Sequence, residues 1–385
     1  MATDSVSKEL RVHSLKINVI VAQVFGVPLI LRENTKCTRF LVVSYFLLCL
    51  ILFDILYLFC ELFDLFYVGN NINAIAQNFC LTISHFGGCL KFLNIMYRSH
   101  DLQSIIEELR RLPSAYMVKP DHDNLLRSSE KVNMRIVKIY VSTIVVTFFV
   151  SFGTLIQDPT MGGKFFPFRA FLPDFLPLAV RIMYWSFGVL ILGMQIMVVD
   201  TININLINQV RFHLKVLNSN LLDLASMEGL DKDPYNVLVD CIKYHKIILG
   251  FRDEIEDIFK YPLLAQFVIS ILTIVATGFQ AVVLSEGVLL IYFYCSGLSV
   301  QLFSYCWFAN QVMEENKLLF IAGYSTNWVE FGTRYSKILQ IFMITSQRPL
   351  TFTLGGFFSL SLNTFTVILS RSYSCIAVLR QVYAE

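Results

Sequence analysis

Charge is scarce in this chain. Only 16% of its 385 residues are Asp, Glu, Lys or Arg, whereas 55% are hydrophobic. Soluble domains carry about 25% charged residues, so an ordinary soluble fold is excluded and an integral membrane protein is left. Net charge is +2, and no Lys/Arg cluster with interleaved aromatics marks a nucleic-acid surface. The nine cysteines contain no CxxC pair, and most fall in apolar runs or in basic connecting segments. That pattern is neither a disulfide framework nor a zinc motif. No Asn-X-Ser/Thr acceptor occurs. The first twenty residues lack the apolar core and cleavage site of a signal peptide, so insertion is expected to rely on the first membrane helix.

Catalytic chemistry is equally thin. His13, His85, His100, His122, His213 and His245 are dispersed, and no two of them have metal-ligand spacing. His85 alone falls inside an apolar run, where it reads as a satisfied bundle histidine. Gly87-Gly88 reads as close helix packing rather than a phosphate loop. No enzyme, cofactor or metal is expected. Internal repeats and paired broken helices, the marks of many transporters, are absent too.

What is present is a series of long apolar runs and 34 Phe. About 20 apolar residues cross a bilayer as a helix. Seven such spans are predicted: Phe40–Phe59, Ile72–Met96, Ile139–Ile156, Leu178–Val199, Leu263–Leu284, Val288–Phe308 and Thr351–Leu379. Asp54 in the first is costly in lipid and should face the bundle. Lys91, near the end of the second, is placed to snorkel. Asp101–Leu112 reads as a short helix stopped by Pro113. After the fourth span the period continues through Ile202, Leu206, Val210, Leu214, Leu217 and Leu221 while the other faces turn polar. This predicts one helix that leaves the membrane and runs on for several turns. A second begins at Asp231-Lys232-Asp233-Pro234 and carries Val237, Ile242, Ile247, Ile248, Ile255, Ile258 and Phe259 into the fifth span. Residues 310–347 form a further polar helical stretch. The whole chain, 1–385, reads as one membrane domain.

Most of the 31 Lys and Arg lie in segments 1–39, 97–138, 201–260 and 309–348, and the connections 60–71 and 285–287 have none. The positive-inside rule then puts the N-terminus inside and, after seven crossings, the C-terminus outside. A G-protein-coupled receptor has the opposite orientation, and its arginine motif after span three and NPxxY in span seven are missing here.

The last span is too polar for a lipid-facing helix. At 100° per residue, Ser359, Asn363, Thr366, Ser370, Tyr373 and Arg380 share one side, with Ile368, Leu369, Ile376 and Leu379 on the flanks. Such a stripe serves either hydrogen bonding between helices or the wall of a water-filled pore. The stretch PLTFTLGGFFSLSLNTFTVILSRSYSCIAVLRQ, residues 349–381, resembles the seventh-helix signature of insect odorant receptors. Ser372-Tyr373 matches that family's Ser/Thr-Tyr pair. The Gln of the related gustatory-receptor ending is replaced by Leu379, with Gln381 two residues later.

The resemblance extends over the whole chain in length, inverted topology and short outer loops. It implies an all-α, seven-helix subunit of an odorant-gated, non-selective cation channel with four subunits around a central pore. It implies a tuning subunit, because the co-receptor's large insertion after helix four is missing at Leu222–Pro234. The partners implied are a co-receptor subunit in a heterotetramer, a small volatile hydrophobic ligand and membrane lipid. The expected location is the plasma membrane of olfactory sensory neurons. A seven-helix receptor or transporter without a pore is the alternative. Segments 201–260 and 310–347 would form the cytosolic anchor domain, and 351–379 the pore-lining helix. The resemblance puts the pore and gate at Leu369, Ser372, Tyr373, Ile376 and Arg380, with Ile376 in the narrowest ring, where dewetting can block ions. It puts the ligand in the outer half of the bundle. Ala76, Phe79 and Cys80 would line it from span two, and Phe148, Ser151, Phe152 and Leu155 from span three. Tyr184, Phe187 and Gly188 on span four, with Tyr292 and Phe293 on span six, complete the set. Such a lining suits dispersion and burial; at about 25 cal/mol per Å² a small volatile gains only a few kcal/mol.

Overall fold

The computed structural model describes residues 13–27, 36–67, 69, 72–111, 120–157, 171, 175–226, 233–283 and 288–384. The described chain is almost wholly helical. Near the N-terminus come α1 (His13–Val24), α2 (Lys36–Cys49), a π-helical segment (Leu50–Ile55) and α3 (Leu56–Tyr67). Next are α4 (Ile72–Tyr97), α5 (Ser99–Arg111), α6 (Pro120–Gln157) and α7 (Leu178–Ser226). The chain finishes with α8 (Pro234–Val283), α9 (Val288–Tyr324), α10 (Gly332–Ser346) and α11 (Leu362–Ala384). Strands β1 (Thr353–Leu354) and β2 (Phe358–Ser359) pair antiparallel just before α11.

Five described helical stretches are long and apolar enough to cross a membrane: Phe40–Tyr67, Asn78–Tyr97, His122–Phe149, Ala179–Ala225 and Pro234–Gly278. Each overlaps one of the first five expected spans. Helices α9 and α11 stand where the sixth and seventh were expected. The loop expected at 157–175 lies almost wholly outside the described residues.

Helix α7 is the axis of the fold. Every residue from Thr201 to Val210 is buried, and so are Leu214, Leu217 and Leu221. The expected continuation beyond the fourth span is therefore present and is packed on all sides. Helix α8 starts at Pro234, whose missing N–H costs nothing in a first turn, with Asp233 accepting from the Tyr235 N–H at 3.4 Å. It runs unbroken past Pro262. A proline inside a helix frees the carbonyl four residues back, here that of Ile258. The Asn94 amide of α4 donates to that oxygen at 3.0 Å, so the freed group is satisfied.

Glycines set the closest helix approaches. A methyl added at Gly87 would lie 2.6 Å from Ile269, and one at Gly88 would lie 2.9 Å from Ile196. Together these seat α4 against α8 and α7, which is the packing role expected of the pair.

Two expectations need correction. Lys91 does not snorkel: it is buried, and its Nζ lies 2.5 Å from Asp200 Oδ1. Thr351–Leu379 is not a single helix either. Gly355 and Gly356 both have positive φ, 61° and 82°, which turns the chain into the β1–β2 hairpin. The Gly355 N–H donates to the Lys260 carbonyl at 3.0 Å, docking the hairpin on α8. Ser361 then caps α11, its Oγ accepting from the Thr364 N–H at 3.2 Å.

Candidate ligand and pore-lining site

Helix α11 has two faces. Asn363, Thr366, Ser370 and Tyr373 are all exposed, as is Ser359 just before the helix, and Tyr373 reaches 74%. The opposite side presents Phe365, Ile368 and Leu369 to the protein core. Ser372 is buried on this inner side with no hydrogen-bond partner for its Oγ. Ile376 lies half-buried at the border of the two faces. Its Cδ1 occupies the space of the missing side chain of Gly278, 2.3 Å from where a Cβ would stand. Arg380 is on the helix, but its side chain lies outside the described residues.

Of the expected ligand residues, the structure brings Cys80, Tyr184 and Gly188 to the interior. The Tyr184 hydroxyl donates to the Leu52 carbonyl at 2.6 Å. That carbonyl belongs to the π-helical segment, so one Tyr ties α7 to a backbone irregularity in the first span. Tyr57 packs beside it, ring centroids 6.0 Å apart, and its Cε2 and Cδ2 fill the space of the missing side chain of Gly188. Cys80 Sγ is 3.5 Å from the Gln280 amide. Phe148 is half-buried, while Phe79 and Phe187 are 42% and 48% exposed and point away from the bundle interior. Ala76, Ser151, Phe152, Leu155, Tyr292 and Phe293 sit on described helices, but their side chains lie outside the described residues.

Several interior residues escaped the sequence reading. Tyr294 is one: its hydroxyl and Ser84 Oγ are 2.7 Å apart, joining α9 to α4. Thr277 Oγ1 and Cys295 Sγ are 2.8 Å apart, joining α8 to α9. Tyr57 and Trp185 form the centre of a small separate apolar cluster that Tyr184 and Tyr294 pack against. Tyr57 was missed because the first span was read for its charge, Asp54, and not for its aromatics. The available signal was Tyr57 at i+4 from Phe53, on one face of a helix.

Two buried polar networks flank these aromatics. In the first, His85 Nδ1 and Glu61 Oε2 are 2.9 Å apart, and the Asn78 amide donates to the Glu61 carbonyl at 2.9 Å and to Asp64 at 3.1 Å. In the second, Asp200 receives Lys91, the Tyr305 hydroxyl at 2.5 Å and the Gln301 amide. Gln301 in turn accepts from Gln266 at 3.1 Å. Three helices, α4, α7 and α9, therefore meet at one carboxylate, and α8 joins through Gln301. Charge inside a membrane bundle is stable only when paired and hydrogen-bonded in this way.

The chain can be compared with known proteins at this point. The family model described as 7tm Odorant receptor matches residues 71–373. Putative odorant receptor 92a of Drosophila melanogaster is 27% identical over 203 residues, 52% of this chain and 50% of that protein. Odorant receptor 67c of the same fly is 26% identical over 242 residues, 62% of this chain and 57% of that protein. In these matches the chain spans little more than half of the relatives' length. The fold resembles that of the insect olfactory receptor OR5 from Machilis hrabei, with a TM-score of 0.80 at 18% identity, covering 96% of this chain and 97% of that one. The same receptor in complex with eugenol gives a TM-score of 0.79 at 19% identity, covering 95% and 97%. Since the family model covers well over half of the residues, the chain belongs to the 7tm Odorant receptor family of insects, a family of multi-pass membrane receptors and not of enzymes.

Proposed function

We propose that this chain is the odorant-tuning subunit of an odorant-gated, non-selective cation channel. It opens a central pore in a heterotetramer with a co-receptor subunit, in the plasma membrane of olfactory sensory neurons, with its N-terminus inside and its C-terminus outside. The observation that carries the reading is the outer face of α11. Polar side chains at Asn363, Thr366, Ser370 and Tyr373 are exposed on a helix of a membrane protein. Lipid offers them no hydrogen bonds, whereas a wet axis does. Basic segments concentrated on one side support the orientation.

The ligand site in this reading lies among Tyr57, Cys80, Tyr184, Gly188 and Tyr294. Its aromatic character suits a small volatile with a ring and at most one or two polar groups. A solved relative by fold holds eugenol, such a molecule. One turn of α8 links that site to the pore helix. Thr277 touches Cys295 and Gln280 touches Cys80, while Gly278 between them seats Ile376. A ligand that prefers one position of α8 would shift Ile376 and bias opening by its differential affinity for the two states.

The test is voltage clamp of cells expressing this chain with the co-receptor, under an odorant panel. Odorant-evoked cation current is expected, with ion permeability or basal current altered by Ile376→Ala. A response that proceeds without any current assigned to this chain would favour the receptor or transporter without a pore. Unaltered channel properties in Ile376→Ala would remove that residue from the gate.

A further inference from the structure

The geometry points to a transition-metal site between the first two spans, formed by Asp54, His85 and Cys89 and suited to Zn²⁺. A carboxylate oxygen of Asp54, a ring nitrogen of His85 and Cys89 Sγ all lie within 4.8 Å of one another. Asp54 and His85 are buried and Cys89 is half-buried. Tetrahedral zinc, with bonds of about 2.0–2.3 Å, needs ligand separations of about 3.5 Å, so side-chain rotations of about 1 Å close the set.

Three further features belong to such a site. First, His85 Nδ1 is held 2.9 Å from Glu61 Oε2, the outer carboxylate that orients a metal-bound imidazole. Second, the ring also meets the Cys89 side chain in a hydrogen-bonding interaction, and the other nitrogen, Nε2, is buried with no oxygen or nitrogen partner. A ring polarised by a carboxylate on one side and set beside a thiol on the other is prepared for a Lewis acid. Third, Asp54 is the buried residue of the π-helical segment Leu50–Ile55. Without an energetic return, a π segment is a poor choice over α-helix, and such segments gather at functional positions. The Gln195 amide approaches Asp54 Oδ2 at 3.5 Å and gives that carboxylate its own outer support.

The donors choose the metal. One thiolate, one imidazole and one carboxylate suit zinc, whereas Ca²⁺ and Mg²⁺ ask for oxygen alone. The dication is neutralised by the carboxylate and the thiolate, as a low-dielectric interior requires. Binding displaces the thiol proton to solvent and strengthens as pH rises. Three protein ligands leave a fourth position for water or for a donor atom of a small molecule. The metal would fasten the first span to the second just beneath Tyr57, whose ring lies 5.7 Å from that of His85.

The test uses the full-length chain, purified in detergent under reducing conditions and free of chelator, and needs no current. Co²⁺ serves as the coloured probe and Zn²⁺ as competitor. The expected result is one Co²⁺ per chain, with tetrahedral visible bands and a thiolate-to-cobalt charge-transfer band, all displaced by Zn²⁺. Cys89→Ser should abolish the charge-transfer band and Glu61→Gln should weaken binding about 10–100-fold. Cys241→Ser and Cys375→Ser should change neither. Absence of the charge-transfer band in the unaltered chain overturns the site, and so does its persistence in Cys89→Ser. Because the first of these outcomes needs no variant, a misfolded mutant cannot protect the proposal.

Discussion

The two halves of helix α7 obey different rules. In the half that continues beyond the fourth span, every side chain from Thr201 to Val210 is buried, and Leu214, Leu217, Leu221 and Leu224 follow. In the membrane half, Val180, Met183 and Phe187 are exposed, while Gly188, Gln195 and Asp200 are buried. Water punishes exposed apolar surface, so a half expected to lie beyond the membrane should hide its aliphatic side chains, as this one does. Lipid does not, so the membrane half can leave aliphatic and aromatic side chains exposed, and it buries, beside Trp185, Leu192 and Met197, small residues that allow close approach and polar groups that need partners. The comparison teaches that burial of a Leu stabilises one half, and satisfaction of a carboxylate stabilises the other.

That contrast can be broken from either side. The largest effect is expected at the paired charge. Lys91→Met leaves Asp200 buried without its cation, at a cost of about 3–5 kcal/mol, read as a lower melting midpoint of the purified chain. Restoring much of that loss with Asp200→Leu in the Lys91→Met background would show that pairing, and not either charge alone, is what the site requires. In the half that continues beyond the expected fourth span Leu217→Ala should cost about 2–5 kcal/mol through a cavity, with no rescue by any polar partner.

Acid separates the halves further. His213 and His245 lie on the parts of α7 and α8 expected to run beyond the membrane, and burial lowers each pKa to about 4. The unfolded chain binds these protons near pH 6.5, so it holds more protons than the folded one between pH 6.5 and 4. Stability is therefore full above about pH 6.5 and falls as pH drops toward 4, by about 2 kcal/mol for each histidine at pH 5. The melting midpoint against pH checks this. His213→Gln, which keeps a polar group near the Tyr244 hydroxyl now 2.6 Å away, should flatten the slope. Gly278→Ala comes next, because its Cβ would collide with Ile376, costing about 1–3 kcal/mol. Its basal current should change, with partial return in Gly278→Ala/Ile376→Val. The smallest effect on stability is expected on the outer face of α11. Ser370→Ala should move the midpoint by less than about 0.5 kcal/mol yet alter conductance. A stability loss there with unchanged conductance would make that face a packing surface.

Much of the fold was legible because its signals are periodic and one-dimensional. The apolar rows of α7 and α8, the start at Pro234 and the hydroxyl stripe of α11 all follow from spacing along a helix. The stripe's exposure in the structure agrees with the spacing. The hairpin before α11 was signalled by Gly355-Gly356, but a long apolar run masked it. The π segment has no compositional mark, because its residues are ordinary helix formers. The candidate site was only partly legible. Cys80, Tyr184 and Gly188 were placed by depth along their spans, whereas Tyr57 and Tyr294 depend on how helices are rotated about their axes. The His85–Cys89 pair, one helical turn apart, was overlooked because cysteines and histidines were surveyed separately.

The sequence by itself determined that this chain lives in a membrane, where its helices run, which end of each is basic and which family it resembles. These follow from transfer free energies and helix periods, which act residue by residue. Only the tertiary structure decided that Lys91 meets Asp200 and not the headgroups, that Ile376 fills the gap at Gly278, and that Asp54 comes beside His85 and Cys89. Those pairings join residues far apart in the chain. They depend on helix rotation and depth to within an ångström or two, and no local period carries that information.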